Sequence, residues 1–419
     1  MTTTSSERRS LIVFLVGLVA LVLLLGYLGG WALPLVIGAV VFIVIAHEFG
    51  HFIVAKKSGM QVTDFFVGFG PVIWSTTRGE TRYGVRALLL GGYVKVPGMS
   101  WDVVVPPEME KRTYRQATYP RQVLFASAGS LMHLLMALVL AWASLTLVGL
   151  PSSTHVQVTA FTPWQGHTKN AAQLAGLKLG DEIVSVNGRA VTLSDIDATI
   201  QPNSGKQLTL VVERNGHDLT LHATPVNGQT LKVDGKTLTT GKKAKGYIGI
   251  DVNGQVERSS LLGAVPASFT RIGTTINLGV HAIIHVFSPG EFASLFHQVA
   301  SPKAATNLHN QDTRPSSIVG AVRFGVQGAQ AGTGPLLEIL IILNIFVGIL
   351  NMIPMLPLDG GFVAIATYER LRSRRGLRRY HADVNRLAPV IYAFVGVLLV
   401  LFACTLYLDI AYPIANPFG

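Results

Sequence analysis

Along the chain, apolar residues gather into five long runs at roughly residues 11–28, 32–55, 122–149, 335–358 and 388–411. Each run approaches or exceeds the about 20 residues that a helix needs to cross a bilayer core about 30 Å thick. The pattern predicts five membrane-spanning helices. Between the third and fourth runs it changes to short alternation, as in "LTLVVERNG", "LTLHATPV" and "GYIGIDV". Strands joined by turns are predicted there, in a module over about residues 155–256. "VNGQTLKVDGKTLTTGKKAKG" (Val226–Gly246) reads as a polar loop or hairpin insertion within it, and residues 257–316 as interfacial amphipathic helices with a mobile linker.

Composition agrees with a membrane protein. The chain is 49% hydrophobic and only 14% charged, which excludes an ordinary soluble enzyme. A net charge of +11 raises nucleic acid as a partner, but no basic stripe with interleaved aromatics exists to bind it. The basic residues mark topology instead. The N-terminal tail holds two Lys or Arg, the 56–121 segment ten and the 369–386 segment seven, whereas fifteen are spread among acids over 150–334. Short basic segments decide orientation and long translocated domains escape the bias. The tail, residues 56–121 and "RLRSRRGLRR" (Arg370–Arg379) are therefore expected in the cytoplasm, with the 150–334 segment and the C-terminus outside. Arg8 and Arg9 precede the first run as in a signal peptide, but "GYLGGWA" is a poor cleavage site, so a retained span is expected. Cys404 is the single cysteine, so no intramolecular disulfide can form.

The second run carries "HEFGH", with His47, Glu48 and His51 inside apolar sequence. Ionisable groups at membrane depth are costly unless function holds them there. On a helix, positions i and i+4 stack on one face. The H-E-x-x-H spacing lets two imidazoles bind Zn²⁺ while the glutamate acts as general base toward a water. A catalytic zinc site still needs a third protein ligand. "NIFVGILNMIPMLPLDGGFVA" (Asn344–Ala364) supplies a candidate, because Asn351, Pro354, Pro357 and Asp359 interrupt another apolar run. The prolines prevent a regular helix, and irregular backbone at membrane depth must be buried in protein or line a cavity. Gly360 and Gly361 then let Asp359 turn inward. Depth pairs the two motifs: His51 lies about 8 Å along a helix from Lys56, and Asp359 lies shortly before Arg370. Both fall toward the cytoplasmic side.

With H-E-F-G-H in one helix and N-x-x-P-x-x-P-x-D-G in a later one, the chain resembles the site-2 proteases, which are intramembrane zinc metalloproteases. The resemblance runs from about residue 32 to the end. It includes "GFGPVIWSTTRGETRYGVRALLLGGYVKVPGM" (Gly68–Met99), similar to the family's membrane-associated β-hairpin region, and "SIVGAVRFG" (Ser317–Gly325). "AGLKLGDEIVSVNGRAV" (Ala175–Val191) resembles a bacterial PDZ domain, a fold that accepts an extended peptide beside a strand. The implied fold is a multi-pass α-helical membrane protein with a four-helix protease core and one extra N-terminal span. It also has a β-hairpin region and an inserted extracytoplasmic α+β PDZ domain. Expected boundaries are 1–30 for the tail and extra span, 31–150 for the first half of the core, 155–256 for the PDZ domain, 257–334 for linker and interfacial helices, and 335–419 for the second half of the core.

Carried over by motif, His47, His51 and Asp359 would bind Zn²⁺, Glu48 would be the general base, and Asn351 would hold the substrate backbone or stabilise the oxyanion. Gly91, Gly92 and Tyr93 in the hairpin, and Gly176 and Leu177 in the PDZ module, are expected to touch extended substrate. The implied substrates are single-span proteins in the bacterial inner membrane, such as an anti-sigma factor already cut by a site-1-type protease, or remnant signal peptides. A non-catalytic scaffold binding peptides through the PDZ module is the alternative, but it has no need of Glu48. A metal transporter would need ionisable residues through several spans, which are nearly free of them.

The chain departs from the family pattern in three places. The motif's second proline falls at Leu356, with Pro357 one place later. "GSLMH" (Gly129–His133) puts His133 where asparagine is expected, so His133 is read as a hydrogen-bonding support of the site. The first span is additional. His281, His285, His297 and His309 are read as surface residues rather than a second metal site.

Overall fold

The computed structural model describes residues 5–99, 104–166, 168–233, 236–237, 244–307, 311, 314–373 and 380–418. His309, Arg374–Arg379 and part of the 226–246 insertion lie outside the described residues. Two compact units form, residues 1–143 with 265–419, and residues 144–264.

The first unit contains α1 (Ser5–Gly29), α2 (Ala32–Lys57), β1 (Asp64–Arg78), β2 (Thr81–Lys95) and α3 (Tyr119–Ala143). It resumes with α4 (Ala264–Val286), α5 (Pro289–Ala300), α6 (Ile318–Ala331), α7 (Thr333–Asn351), α8 (Asp359–Arg372) and α9 (Ala388–Ala411). Among the described residues, five helices are long and apolar enough to cross a membrane: Ile12–Gly29, Ala32–Lys57, Tyr119–Val148, Thr333–Asn351 and Ala388–Ala411. They match the five predicted runs, except that the fourth stops at Asn351 rather than 358. Pro354 and Pro357 are the reason, since proline lacks the N–H and clashes with the preceding turn.

Lipid offers little hydrophobic drive for helix association, so close backbone approach must do the work. A Cβ on Gly50 of α2 would stand 2.7 Å from the Ala128 carbonyl oxygen of α3. Ala126, Ala128, Ala137 and Ala141 line the buried face of α3. Ile272 of α4 joins Ala137, Ala141, Ile341 and Ile345 in one apolar cluster. A helix in the stretch read as interfacial segments and linker thus packs against α3 and α7. At the far end of the unit, buried Asp409 of α9 accepts the Ser317 backbone N–H at 2.7 Å and Arg314 Nη2 at 3.2 Å. That pair ties the last helix to the start of α6.

β1 and β2 form a hairpin that folds on itself. Asp64–Val67 pairs with Arg82–Val85 on one side and with Gly92–Lys95 on the other, while Trp74–Arg78 pairs with Thr81–Val85. Gly68 and Gly70, at φ of 90° and 82°, allow the bend between the two halves of β1. Gly92–Lys95 is left at an edge.

The second unit is built on β3 (Leu150–Phe161), β4 (Glu182–Val186), β5 (Leu208–Arg214), β6 (His217–Ala223) and β7 (Ile250–Glu257). They form an antiparallel sheet in the order β7-β3-β4-β5-β6, with a short strand at Arg189–Ala190 beside β4. Leu208, Leu210 and Val212 of β5 point alternately into the core with Val156, Val158, Ile183 and Val186. Asn215 and Gly216 join β5 to β6 with φ of 54° and 78°. Two successive left-handed residues make the tight hairpin turn that "RNG" predicts.

Candidate metal centre

Helix α2 sets His47 and His51 one turn apart on its buried side. His51 Nδ1 donates to the Phe125 carbonyl of α3 at 2.8 Å, so its Nε2 carries a lone pair. That Nε2 lies 3.2 Å from His47 Nε2 and 3.2 Å from Asp359 Oδ2, and His47 Nε2 lies 3.4 Å from the same oxygen. Asp359 starts α8, directly after the proline-broken turn. Gly361 makes this possible, since a Cβ there would stand 2.6 Å from the Leu356 nitrogen, and one on Gly360 would strike the Met352 carbonyl oxygen.

Three electron-rich atoms face one another across this centre, and Asp359 Oδ2 is buried without a hydrogen-bond partner. Such convergence is repulsive without a cation. Ligands about 2.0–2.1 Å from a tetrahedral zinc ion are separated by about 3.4 Å, close to what these residues adopt. The donor set fits a metal ion, and among the described residues His47, His51 and Asp359 are the group of His, Cys, Asp and Glu placed to hold one.

Glu48 shares a cavity of about 140 Å³ with these side chains, lined also by Tyr93, Val94, Phe125 and Phe362. The hairpin edge closes it. The Val94 backbone N–H donates to the Glu48 carboxylate, and a Cβ on Gly92 would stand 2.9 Å from Glu48 Cγ. Glu48 is thus held by the hairpin backbone. Beside it, Tyr93 stacks on Phe66 with ring centroids 5.6 Å apart and accepts a hydrogen bond from Arg86 at 2.8 Å. Gly91, at φ 154°, packs on Phe69.

Of the remaining expected residues, His133 alone is placed here as a neighbour of the centre. Asn351 ends α7, half-buried, and is not among the residues lining the cavity. His133 is buried beside the centre, its ring centroid 5.0 Å from that of His47. In the second unit, Gly176 sits in a turn at φ 90° and Leu177 is buried in the core. His281, His285 and His297 are exposed.

Sequence reasoning overlooked Asn344, which is fully buried on α7 and bonded to His133 at 3.1 Å. A lone amide inside an apolar run was the available signal. Nor does spacing reveal that Gly129 of α3 lies against the His47 ring.

The family model described as Peptidase family M50 matches residues 35–395. The chain belongs to this family. Among relatives of this M50 peptidase, "Zinc metalloprotease Rip1" of Mycobacterium tuberculosis is 33% identical over 405 residues, covering 90% of this chain and 96% of that protein. The protein of that name from Mycolicibacterium smegmatis is 30% identical over 408 residues, covering 90% and 96%. "Membrane metalloprotease ARASP, chloroplastic" of Arabidopsis thaliana is 26% identical over 344 residues, covering 80% of this chain and 70% of its own. The family match and the relatives' names make the M50 peptidase a membrane metalloendopeptidase, and the matched residues 35–395 include His47, His51 and Asp359, the group that could hold a metal ion.

Proposed function

We propose that this M50 peptidase is a zinc endopeptidase that hydrolyses peptide bonds within the membrane-spanning segments of single-span proteins. One observation carries the reading: His47, His51 and Asp359 converge next to Glu48, and the helix that carries both histidines and Glu48 is apolar enough to span a membrane. The relatives' names, which specify zinc, support the choice of metal. Held by these three side chains, a zinc ion would polarise the scissile carbonyl and acidify an attacking water. Glu48 takes the proton of that water and returns it to the leaving amine. Asn351 steadies the substrate backbone.

Substrate must be unwound before it can be cut, because a helix shields its own amides. The hairpin edge at Gly92–Lys95 lies beside Glu48 and has the geometry to add an extended strand, with Gly91, Gly92 and Tyr93 against it. The second unit, residues 144–264, acts as a PDZ-type module on the extracytoplasmic side, filtering or capturing substrate ends near Gly176 and Leu177. The ligand cluster lies toward the cytoplasmic face of a bacterial inner membrane. Anti-sigma factors shortened by a site-1-type protease and remnant signal peptides are the substrate classes that suit this arrangement. A peptide-binding scaffold would have no use for Glu48.

The test is Glu48→Gln, compared with the unaltered chain for cleavage of a co-expressed single-span fragment and for bound zinc. Cleavage should vanish while zinc and fold persist. Full cleavage in the variant would rule out the mechanism.

A further inference from the structure

We infer that His133 is a positioning residue for the metal ligand His47, locked for that task by Asn344; this rests on the metal-centre reading above. A chain of hydrogen bonds with a fixed direction leads to it. Asn344 Nδ2 donates to the Leu340 carbonyl, one turn earlier on α7, at 2.8 Å. A carbonyl can only accept, so the amide cannot be flipped, and its Oδ1 is the acceptor facing His133 Nδ1 at 3.1 Å. Nδ1 must carry the proton. A neutral imidazole protonated at Nδ1 presents a bare lone pair at Nε2.

That lone pair has no taker among the described residues. His133 is 1% exposed, and its Nε2 is buried without a hydrogen-bond partner. An orphaned buried acceptor is costly and calls for a donor close by. The complementary orphan is His47 Nδ1, also buried and unpartnered. His47 turns Nε2 toward Asp359 and His51, so as a neutral ligand it holds its proton on Nδ1. One ring offers an unmet donor and the other an unmet acceptor. Their centroids are 5.0 Å apart and their planes inclined by 46°, so the two rings are direct neighbours.

The pair forms a relay: Leu340 carbonyl, Asn344, His133, His47, metal. Ligating histidines usually donate their second N–H to an acceptor that fixes tautomer and ring orientation. Here the acceptor is neutral, so the ligand stays neutral too. Histidine can donate or accept at either nitrogen, and Asn344 decides which. His133 is not itself within the ligand group, so it acts through His47. The rival acceptor is the Gly129 backbone, which also lies beside His47.

The test uses the full chain in detergent micelles. Zinc affinity is read by competition with a chelating dye, and Co²⁺ alone serves as a spectroscopic probe of ligand geometry. His133→Gln places an amide oxygen where Nε2 sits, whereas His133→Asn reaches only the Nδ1 position. The relay predicts that His133→Asn and His133→Ala lose about 10–100-fold in zinc affinity and shift the Co²⁺ absorption, while His133→Gln stays near the unaltered protein. Asn344→Leu, which frees the tautomer, should also shift the Co²⁺ spectrum. Unchanged affinity and spectrum in His133→Asn and His133→Ala would overturn the relay and assign Gly129 as acceptor. Equal losses in His133→Gln and His133→Ala would overturn it in favour of simple packing. If the unaltered chain binds no zinc, the metal-centre reading itself falls, and the relay with it.

Discussion

Gly129 of α3 faces the imidazole of His47 so closely that a Cβ there would stand 2.5 Å from both ring nitrogens. Alanine is the better helix former by about 1 kcal/mol, so on local propensity Gly129→Ala should stabilise α3. In place, it must push the His47 ring aside. We expect bound zinc to fall and cleavage to drop by about 100-fold, the scale set by ångström-level misplacement of catalytic groups, with helix content unchanged. Atomic absorption and circular dichroism on the same sample check this. Stoichiometric zinc with full cleavage would show that His47 can yield at no cost.

How much of this centre can be read from the chain depends on what each residue needs. His47 and His51 are legible because an i, i+4 spacing puts them on one face of any helix. Asp359 is legible because Pro354, Pro357, Gly360 and Gly361 mark a break in an apolar run that no lipid-facing backbone tolerates. Gly129 and Asn344 are different. Their roles arise from which backbone meets which ring, and Asn344 finds His133 across 211 residues. The hairpin shows the same division. Alternation from Gly68 to Met99 reveals strands, but the placing of Gly92 against Glu48 depends on β1 bending at Gly68 and Gly70. Apolar periodicity likewise marks α4 as having a buried face without saying that Ile272 meets Ala137 and Ile341.

Gly92 lies against Glu48 rather than against the His47, His51 and Asp359 cluster. A Cβ at that position would stand 2.9 Å from Glu48 Cγ and 3.0 Å from the Phe66 carbonyl oxygen. Gly92→Ala is expected to lower cleavage by about 100-fold while zinc stays bound, because His47, His51 and Asp359 do not touch Gly92. Parallel assays of cleavage and metal content on Gly92→Ala and Gly129→Ala distinguish the two defects. Zinc loss in Gly92→Ala would mean that the hairpin supports the ligands as well as the base.

In the second unit, Asp181 and Arg214 predict a stability that depends on acid. Asp181 is 1% exposed and takes both Nε and Nη2 of Arg214, at 2.6 and 2.7 Å, together with the Lys178 backbone N–H at 2.8 Å. Burial alone would raise its carboxyl pKa, but the hydrogen bonds from Arg214 and Lys178 prevail and hold it below the ordinary 3.8. A carboxyl depressed in the folded state contributes stability that is fully present above its unfolded value. That contribution is lost as pH falls through the lower folded value. Asp181→Asn should therefore lower stability by about 3 kcal/mol at neutral pH, the lower end for breaking a buried pair, and flatten the acid dependence below about pH 4. Arg214 Nη2 also holds the Gly176 carbonyl at 2.8 Å, so the loop read as peptide-binding should loosen first. Limited proteolysis of residues 144–264 in the whole chain, followed across pH, measures both effects. Equal protection of Asp181→Asn and the unaltered chain at neutral pH would show that the pair contributes nothing to the module.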